Sequence, residues 1–283
     1  IIADGMKGMH TYKGGNPAQT INYASCHDNY TLWDQLRYTL ATKSYKDNHS
    51  PVTGGEPNVY DKVKASLAVH ATVMMSNGVG FMQGGEELYR TKSYDYDPDY
   101  LKEGRSKGTI RTYPSYPHWV DPAINPDAEI ATDDVELFGV DQVITHNSYK
   151  SPDTVNSFKW DRKVEVEGEN MLWAFDVWKA MIAERKNKEN YSWDEMSSSS
   201  EYINSWNTDG GLSVMSTWLN GARDPSRIDK GYYFVFAGRD GGYLPIDLTG
   251  TTLAFSNYGD GISPTTNGVN VAPYVFACYK KGY

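Results

Sequence analysis

Apolar and polar positions along the chain fall into blocks with different periods. Residues 1–20 are polar and carry Gly5, Gly8, Gly14 and Gly15, which predicts a loop. Residues 20–26 form a short apolar-rich run that predicts a strand ending at His27-Asp28-Asn29. Leu32, Trp33 and Leu36 then begin a helix, with Thr31 as its cap and Asp34 three residues on, a variant of the capping box. After a polar loop containing Pro51, Gly54, Gly55 and Pro57, helical spacing returns over residues 61–76 at Val63, Leu67, Ala71, Met74 and Met75, and Asn77-Gly78 supplies a stop. Residues 79–83 read as a buried strand running into Gly84-Gly85-Glu86-Glu87. Strand, helix and strand in this order predict a parallel pair, because a crossover helix returns the chain in the same direction.

Residues 93–146 are rich in Tyr, Asp and Pro and keep no period, which predicts an insertion. Residues 169–186 predict an amphipathic helix with Leu172, Phe175, Trp178, Met181 or Ile182, and Arg185 on one face and basic residues at its C-terminal end. From about residue 190 the pattern becomes short β-like runs between Gly, Asp, Asn and Pro turns, at 202–203, 212–218, 231–237, 250–256 and 270–279. The expected organisation is an α/β part over residues 1–190, with the insertion at 93–146, followed by an antiparallel β-sandwich over 191–283.

Composition narrows the partners. The 283 residues carry 36 acidic against 27 basic side chains, a formal charge of −9, which disfavours nucleic acid and anionic membrane surfaces. No apolar run has the length of a membrane span. Cys26 and Cys278 are far apart and in no metal-like spacing, so no disulfide framework or metal centre is expected. Aromatics make up 13% of the chain, with Tyr 22 and Trp 8; they fill cores and strands, and they also suit sugar rings, which present apolar C–H faces and polar rims. The chain opens at Ile1, which suggests a processed or truncated product and leaves the location, secreted or cytoplasmic, open.

His27-Asp28-Asn29 is the sharpest chemical feature. Polar side chains at strand C-termini converge on the active face of barrels built from alternating strands and helices; a hydrogen-bonded rim cluster would look the same as a dipeptide. The wider context decides between them. Residues 21–34, read as I-N-Y-x-x-x-H-D-N-x-T-L-W-D, resemble the fourth conserved region of the α-amylase superfamily (glycoside hydrolase family 13) in the form found in type I pullulanases. Residues 81–92, ending Gly84-Gly85-Glu86-Glu87-Leu88-Tyr89-Arg90-Thr91-Lys92, are similar to the family's strand-eight segment. Asn147-Ser148-Tyr149-Lys150-Ser151-Pro152-Asp153-Thr154-Val155-Asn156, followed by Trp160-Asp161-Arg162-Lys163, is similar to the loop after that strand.

The resemblance implies the last strand–helix units of a (β/α)8 barrel followed by the β-sandwich, and cleavage of α-1,6-glucosidic linkages in pullulan, amylopectin or limit dextrins. Asp28 corresponds to the carboxylate that stabilises the oxocarbenium-like transition state, His27 to a hydroxyl-binding neighbour, and Asn29, Asn147, Ser148, Tyr149 and Asp153 to substrate contacts; for Asn147, Ser148, Tyr149 and Asp153 an ordinary turn is the alternative. Trp33 is expected in the helix core, Cys26 in packing, and Glu86 and Glu87 in capping or orienting the site. Retaining cleavage also needs a nucleophile and an acid/base carboxylate. Asp4 is the sole acidic residue before Asp28, and no G-F-R-x-D-like segment precedes it. The expected chain is therefore a C-terminal portion, completed by the N-terminal remainder or a complementing chain. No cofactor is implied. Asp95, Asp97 and Asp99 alternate like a calcium loop, but Tyr100 stands where glycine is needed and Ser106 where a bidentate Glu is needed, so a structural calcium has no specific motif behind it. An isoamylase-like enzyme and a non-catalytic α-glucan-binding fragment are the alternatives.

Overall fold

The computed structural model describes residues 5–6, 19–41, 58–94, 143–144, 153–187, 203–207, 214–219, 231–259 and 261–282. The chain is a mixed α/β structure with antiparallel sheets, and it divides into two compact units: residues 1–24, 63–81 and 171–283 in one, residues 25–62 and 82–170 in the other.

In the first unit, β1 (Ile21–Asn22) and β2 (Val79–Gly80) pair in parallel, Ile21 beside Val79 and Asn22 beside Gly80. Helix α1 (Leu32–Ala41), which belongs to the second unit, and helix α2 (Val59–Met74), which spans both, lie between the two strands in sequence. The parallel pairing is as expected, but each strand is two residues long and their apolar side chains are not buried. Ile21 is 62% exposed, Tyr23 55%, Val79 46% and Phe81 43%, with the Tyr23 and Phe81 rings in edge contact at 6.0 Å. Strands covered on both faces bury such residues; the expected burial of residues 79–83 is not met because nothing among the described residues covers these side chains.

Helix α2 buries Val63, Leu67 and Ala71, with Met75 one residue past its end, at a spacing of four. It stops at Asn77-Gly78, where Gly78 adopts a left-handed φ of 91°. Arg185 fastens this end, its guanidinium donating to the carbonyls of Met74 (2.7 Å), Ser76 (2.6 Å) and Gly78. It lies in the last turn of the helix Leu172–Lys186. That helix buries Met171, Ala174, Trp178 and Met181, whereas Leu172 and Ile182 are exposed. The stripe keeps Trp178 and Met181 from the expected face but takes Met171 and Ala174 in place of Leu172, and Trp178 packs against the His70 ring, 4.6 Å between centroids.

The second unit begins with Ser25 and includes helix α1. Strands β3 (Ser93–Tyr94) and β4 (Val143–Ile144) pair antiparallel, Ser93 beside Ile144, so the insertion leaves and returns through one two-stranded clasp. Helix α3 (Asp153–Asn156) follows, and then a hairpin of β5 (Glu165–Val166) and β6 (Glu169–Asn170). Its turn residues Glu167 and Gly168 have φ of 53° and 85°, the positive values a tight type I′ turn requires. Lys62 Nζ meets the Glu167 carboxylate at 2.7 Å. The remaining helix, Leu172–Lys186 in the first unit, is α4.

The rest of the first unit is antiparallel. Strands β7 (Ile203–Asn207), β8 (Val214–Leu219), β9 (Gly231–Ala237), β11 (Thr252–Ser256) and β14 (Phe276–Lys281) form a sheet in the order β11-β14-β9-β8-β7. Strands β10 (Gly242–Leu244), β12 (Ile262–Thr265) and β13 (Gly268–Val271) form another in the order β10-β13-β12. Val235 and Ala277 from the larger sheet share one core with Leu244, Val269 and Val271 from the smaller and with Ile246 and Val275. The run expected over 270–279 is broken between β13 and β14, where Tyr274 takes a φ of 58° after Pro273. Strand β12 carries Pro264 and lies at a sheet edge, where a missing N–H is tolerated.

Candidate functional site

The backbone bends through His27, Asp28 and Asn29 soon after β1, and Asn29 takes a left-handed φ of 61°. Asn tolerates this conformation better than most residues. The side chains of His27 and Asp28 are 84% and 70% exposed, with His27 Nε2 3.6 Å from Asp28 Oδ2. Asn29 is exposed as well. Three adjacent polar side chains are therefore offered to solvent, and what holds them is beneath.

That support is polar and buried. Lys92 is 0% exposed, and its ammonium donates to the carbonyls of His27 (2.6 Å) and Asn29 (2.8 Å). Burial pushes its pKa below the ordinary lysine value; Arg90 adds to this, and Asp34 and Asp28 oppose it. The backbone N–H of Lys92 donates to Asp34 Oδ2 at 2.8 Å, and the Thr91 hydroxyl donates to Asp34 Oδ1. Thr31 caps α1, its Oγ1 accepting from the Asp34 N–H at 3.2 Å and donating to Asp34 Oδ2 at 2.9 Å. The capping pair read from the sequence is present, with the Asp34 carboxylate also gathering residues 91 and 92. Burial raises the pKa of Asp34 against these stabilising hydrogen bonds.

The segment 84–92 supplies further contacts. Ser25 Oγ donates to the buried Glu86 carboxylate, and Glu87 accepts from the Gly85 N–H at 3.1 Å, so both acids orient backbone and loop. The short helical turn Glu86–Leu88 is framed by Gly85 and Tyr89, both in the left-handed region. A side chain at Gly85 would meet the Phe158 ring at 2.8 Å, so glycine is required there for Phe158 to sit. Phe158 is backed by the Arg90 guanidinium, 5.6 Å from its centroid, and touches Trp160 edge-on at 5.7 Å. Trp160 is 68% exposed.

Trp33 is buried in the helix core as expected, with the Tyr89 ring 5.2 Å away and Arg162 5.3 Å from its centroid. Cys26 is half-buried and Cys278 buried, both as free thiols. Asp153 is exposed at the start of α3, its carbonyl accepting from the Ser157 N–H at 2.7 Å; among the described contacts none joins it to residues 27–29. Asn147, Ser148 and Tyr149 lie outside the described residues, as do Asp95, Asp97, Asp99, Tyr100 and Ser106. Lys92 is the part of this support that motif reading leaves without a role, and Asp34, read only as a capping partner, also gathers residues 91 and 92.

The pair His27–Asp28 can accept and donate hydrogen bonds to adjacent hydroxyls, and a carboxylate can stabilise positive charge that develops nearby. No family model matches the chain. A pullulanase from Klebsiella aerogenes is 35% identical over 82 residues, which is 29% of this chain and 6% of that protein. The structure of a pullulanase from Bacillus acidopullulyticus superposes with a TM-score of 0.58 and 22% identity over 99% of this chain and 26% of that chain. The GBS pullulanase SAP in complex with maltotetraose gives a TM-score of 0.68 and 16% identity over 100% of this chain and 35% of that chain. The chain thus spans a minor part of the length of each relative, with the fold shared over nearly all of its own. The chain is related to the pullulanases and has the fold of part of their catalytic module.

Proposed function

We propose that residues 1–283 are part of a debranching glycoside hydrolase that cleaves α-1,6-glucosidic linkages with retention, and that the chain contributes transition-state and substrate contacts. The observation that carries this reading is the exposed His27-Asp28-Asn29 bend on a buried polar support. As the glycosidic bond breaks, the sugar ring takes on oxocarbenium character, and hydrogen bonds from its hydroxyls to a carboxylate strengthen. Asp28 supplies that carboxylate. His27 donates to a neighbouring hydroxyl, and Asn29, Asn147, Ser148, Tyr149 and Asp153 contact the glucan. The nucleophile and the acid/base, about 5–5.5 Å apart in retaining enzymes, come from outside these residues, so residues 1–283 alone are inactive. The proposed reaction uses no cofactor.

The parallel pair β1–β2 supports placing residues 1–190 as the last strand–helix units of a (β/α)8 barrel with its insertion at 93–146, and the two antiparallel sheets with one core support a sandwich over 191–283. The exposed apolar side chains on β1 and β2 are what a barrel wall would show without its remaining strands. A substrate of the α-glucan class is supported by the solved relative bound to maltotetraose. The exposed Phe158–Trp160 ring pair favours one second reading, an α-glucan-binding role of the chain by itself.

The complete protein is expected to release reducing ends from pullulan and not from linear amylose, and Asp28→Asn is expected to lower kcat about 100-fold or more with KM within about threefold. Turnover of amylose in preference to pullulan, or an Asp28→Asn effect confined to KM, would contradict the reading. Calorimetry of residues 1–283 with maltotetraose at millimolar concentration tests the second reading, which a null heat would remove.

A further inference from the structure

We infer that Lys92 is a positioning residue of the proposed hydrolase site, holding the backbone on both sides of Asp28 so that the carboxylate faces outward; this rests on the reading of Asp28 given above. An ammonium with no solvent exposure is expensive unless its donors are satisfied. Here two of them go to carbonyls that bracket the acid, that of His27 in the peptide before Asp28 and that of Asn29 just after it. Both carbonyls turn inward to one cation, while the Asp28 side chain is 70% exposed and Asn29 is held in the left-handed region. The lysine is fixed in turn, because its own N–H and the adjacent Thr91 hydroxyl both donate to the buried Asp34. An apolar side chain would fill the same space without directing either carbonyl. Lys92 touches no exposed surface and so acts on substrate only through residues 27–29. Displacing a reacting group by about 1 Å costs on the order of 100-fold in rate, which is the leverage available to such a support.

The test is a double-mutant cycle in the complete protein. Lys92→Met is expected to lower kcat on pullulan about 30-fold with KM within about threefold, and to lower it less than about twofold once Asp28→Asn is present, because the support has then lost the group it positions. Melting temperature and circular dichroism are recorded for each variant. Should Lys92→Met fail to melt cooperatively, Lys92→Gln, uncharged but still a donor, takes its place, with an expected loss of about tenfold and the same collapse in the Asp28→Asn background. Equal losses of kcat in both backgrounds, or full kcat in the Lys92 variant, would overturn the role of Lys92 while leaving the Asp28 reading intact. If Asp28→Asn itself leaves kcat unchanged, the functional reading fails, and the role of Lys92 fails with it.

Discussion

The region around Asp28 and the paired antiparallel sheets solve the problem of holding a backbone still by opposite means. In the sheets, strand ladders satisfy the backbone, and Val235, Leu244, Val269, Val271 and Ala277 enclose an apolar core. No single partner is decisive there, since each aliphatic side chain makes many weak contacts. Around residues 25–34 and 84–92 there is little ladder. Order depends on Lys92, Asp34, Glu86, Thr31 and Thr91, which make a few directional contacts each with little solvent behind them. A region built in this way can display three adjacent polar side chains, and it is correspondingly intolerant of losing a partner, because an orphaned buried donor keeps its full desolvation cost.

The contrast can be broken most sharply at Asp34. Asp34→Leu, apolar and branched at the same atom, leaves the Lys92 N–H and two threonine hydroxyls without their acceptor, and is expected to destabilise the fold by about 3 kcal/mol, within a range of roughly 2–5. Val235→Ile, a change of one methylene in the aliphatic core, is expected to cost about 1 kcal/mol. Urea unfolding of both variants decides the matter; equal losses would remove the distinction between the two regions. Of intermediate size is Gly268→Ala in β13. Its Cβ would lie 2.2 Å from the Leu244 carbonyl oxygen across the ladder, and the expected cost is about 2 kcal/mol, read from the same curves.

The smallest expected effect concerns alkali and three groups in the sheets. Burial raises the Cys278 thiol well above its ordinary 9.0, raises Tyr279 above 10.0, and pushes Tyr233 up to about 12, with Asp247 contributing at Tyr233. Between the ordinary and the raised values the folded chain keeps protons that the unfolded chain has released, so stability falls as pH climbs from about 9 to about 12. In Cys278→Ala the onset of that decline is expected to move from about 9 to about 10, the ordinary tyrosine value. The unfolding midpoint followed against pH, with tyrosinate absorbance alongside, checks this. An unchanged onset would mean that the thiol does not share in it.

Legibility from sequence follows the same division. Helices α1, α2 and α4 and the strands of the five-stranded sheet announce themselves by period, because burial on one face leaves a pattern; residues 231–237 read with the boundaries β9 has. Strands β10 and β12 escaped, being short, with Pro264 inside β12 and Pro245 directly after β10. The parallel pair was legible from element order, but its exposure was not, since period says which residues are apolar and nothing of what covers them. Motif reading singles out His27, Asp28 and Asn29 as site candidates, and it finds the Thr31–Asp34 cap. It passed over Lys92 as a member of its motif without a role, because the bond from Lys92 to the His27 carbonyl joins residues 65 apart in sequence. The clasp at Ser93–Tyr94 and Val143–Ile144 was hidden for the same reason.

The most direct test of the account is a crystal structure of the complete protein with maltotetraose bound. The account predicts an Asp28 carboxylate oxygen within about 2.5–3.2 Å of a glucose hydroxyl, with His27 on the same sugar and Lys92 still bonded to the carbonyls of His27 and Asn29. A bound glucan that leaves the Asp28 carboxylate in water, or an Asp28 turned inward away from the sugar, would contradict it.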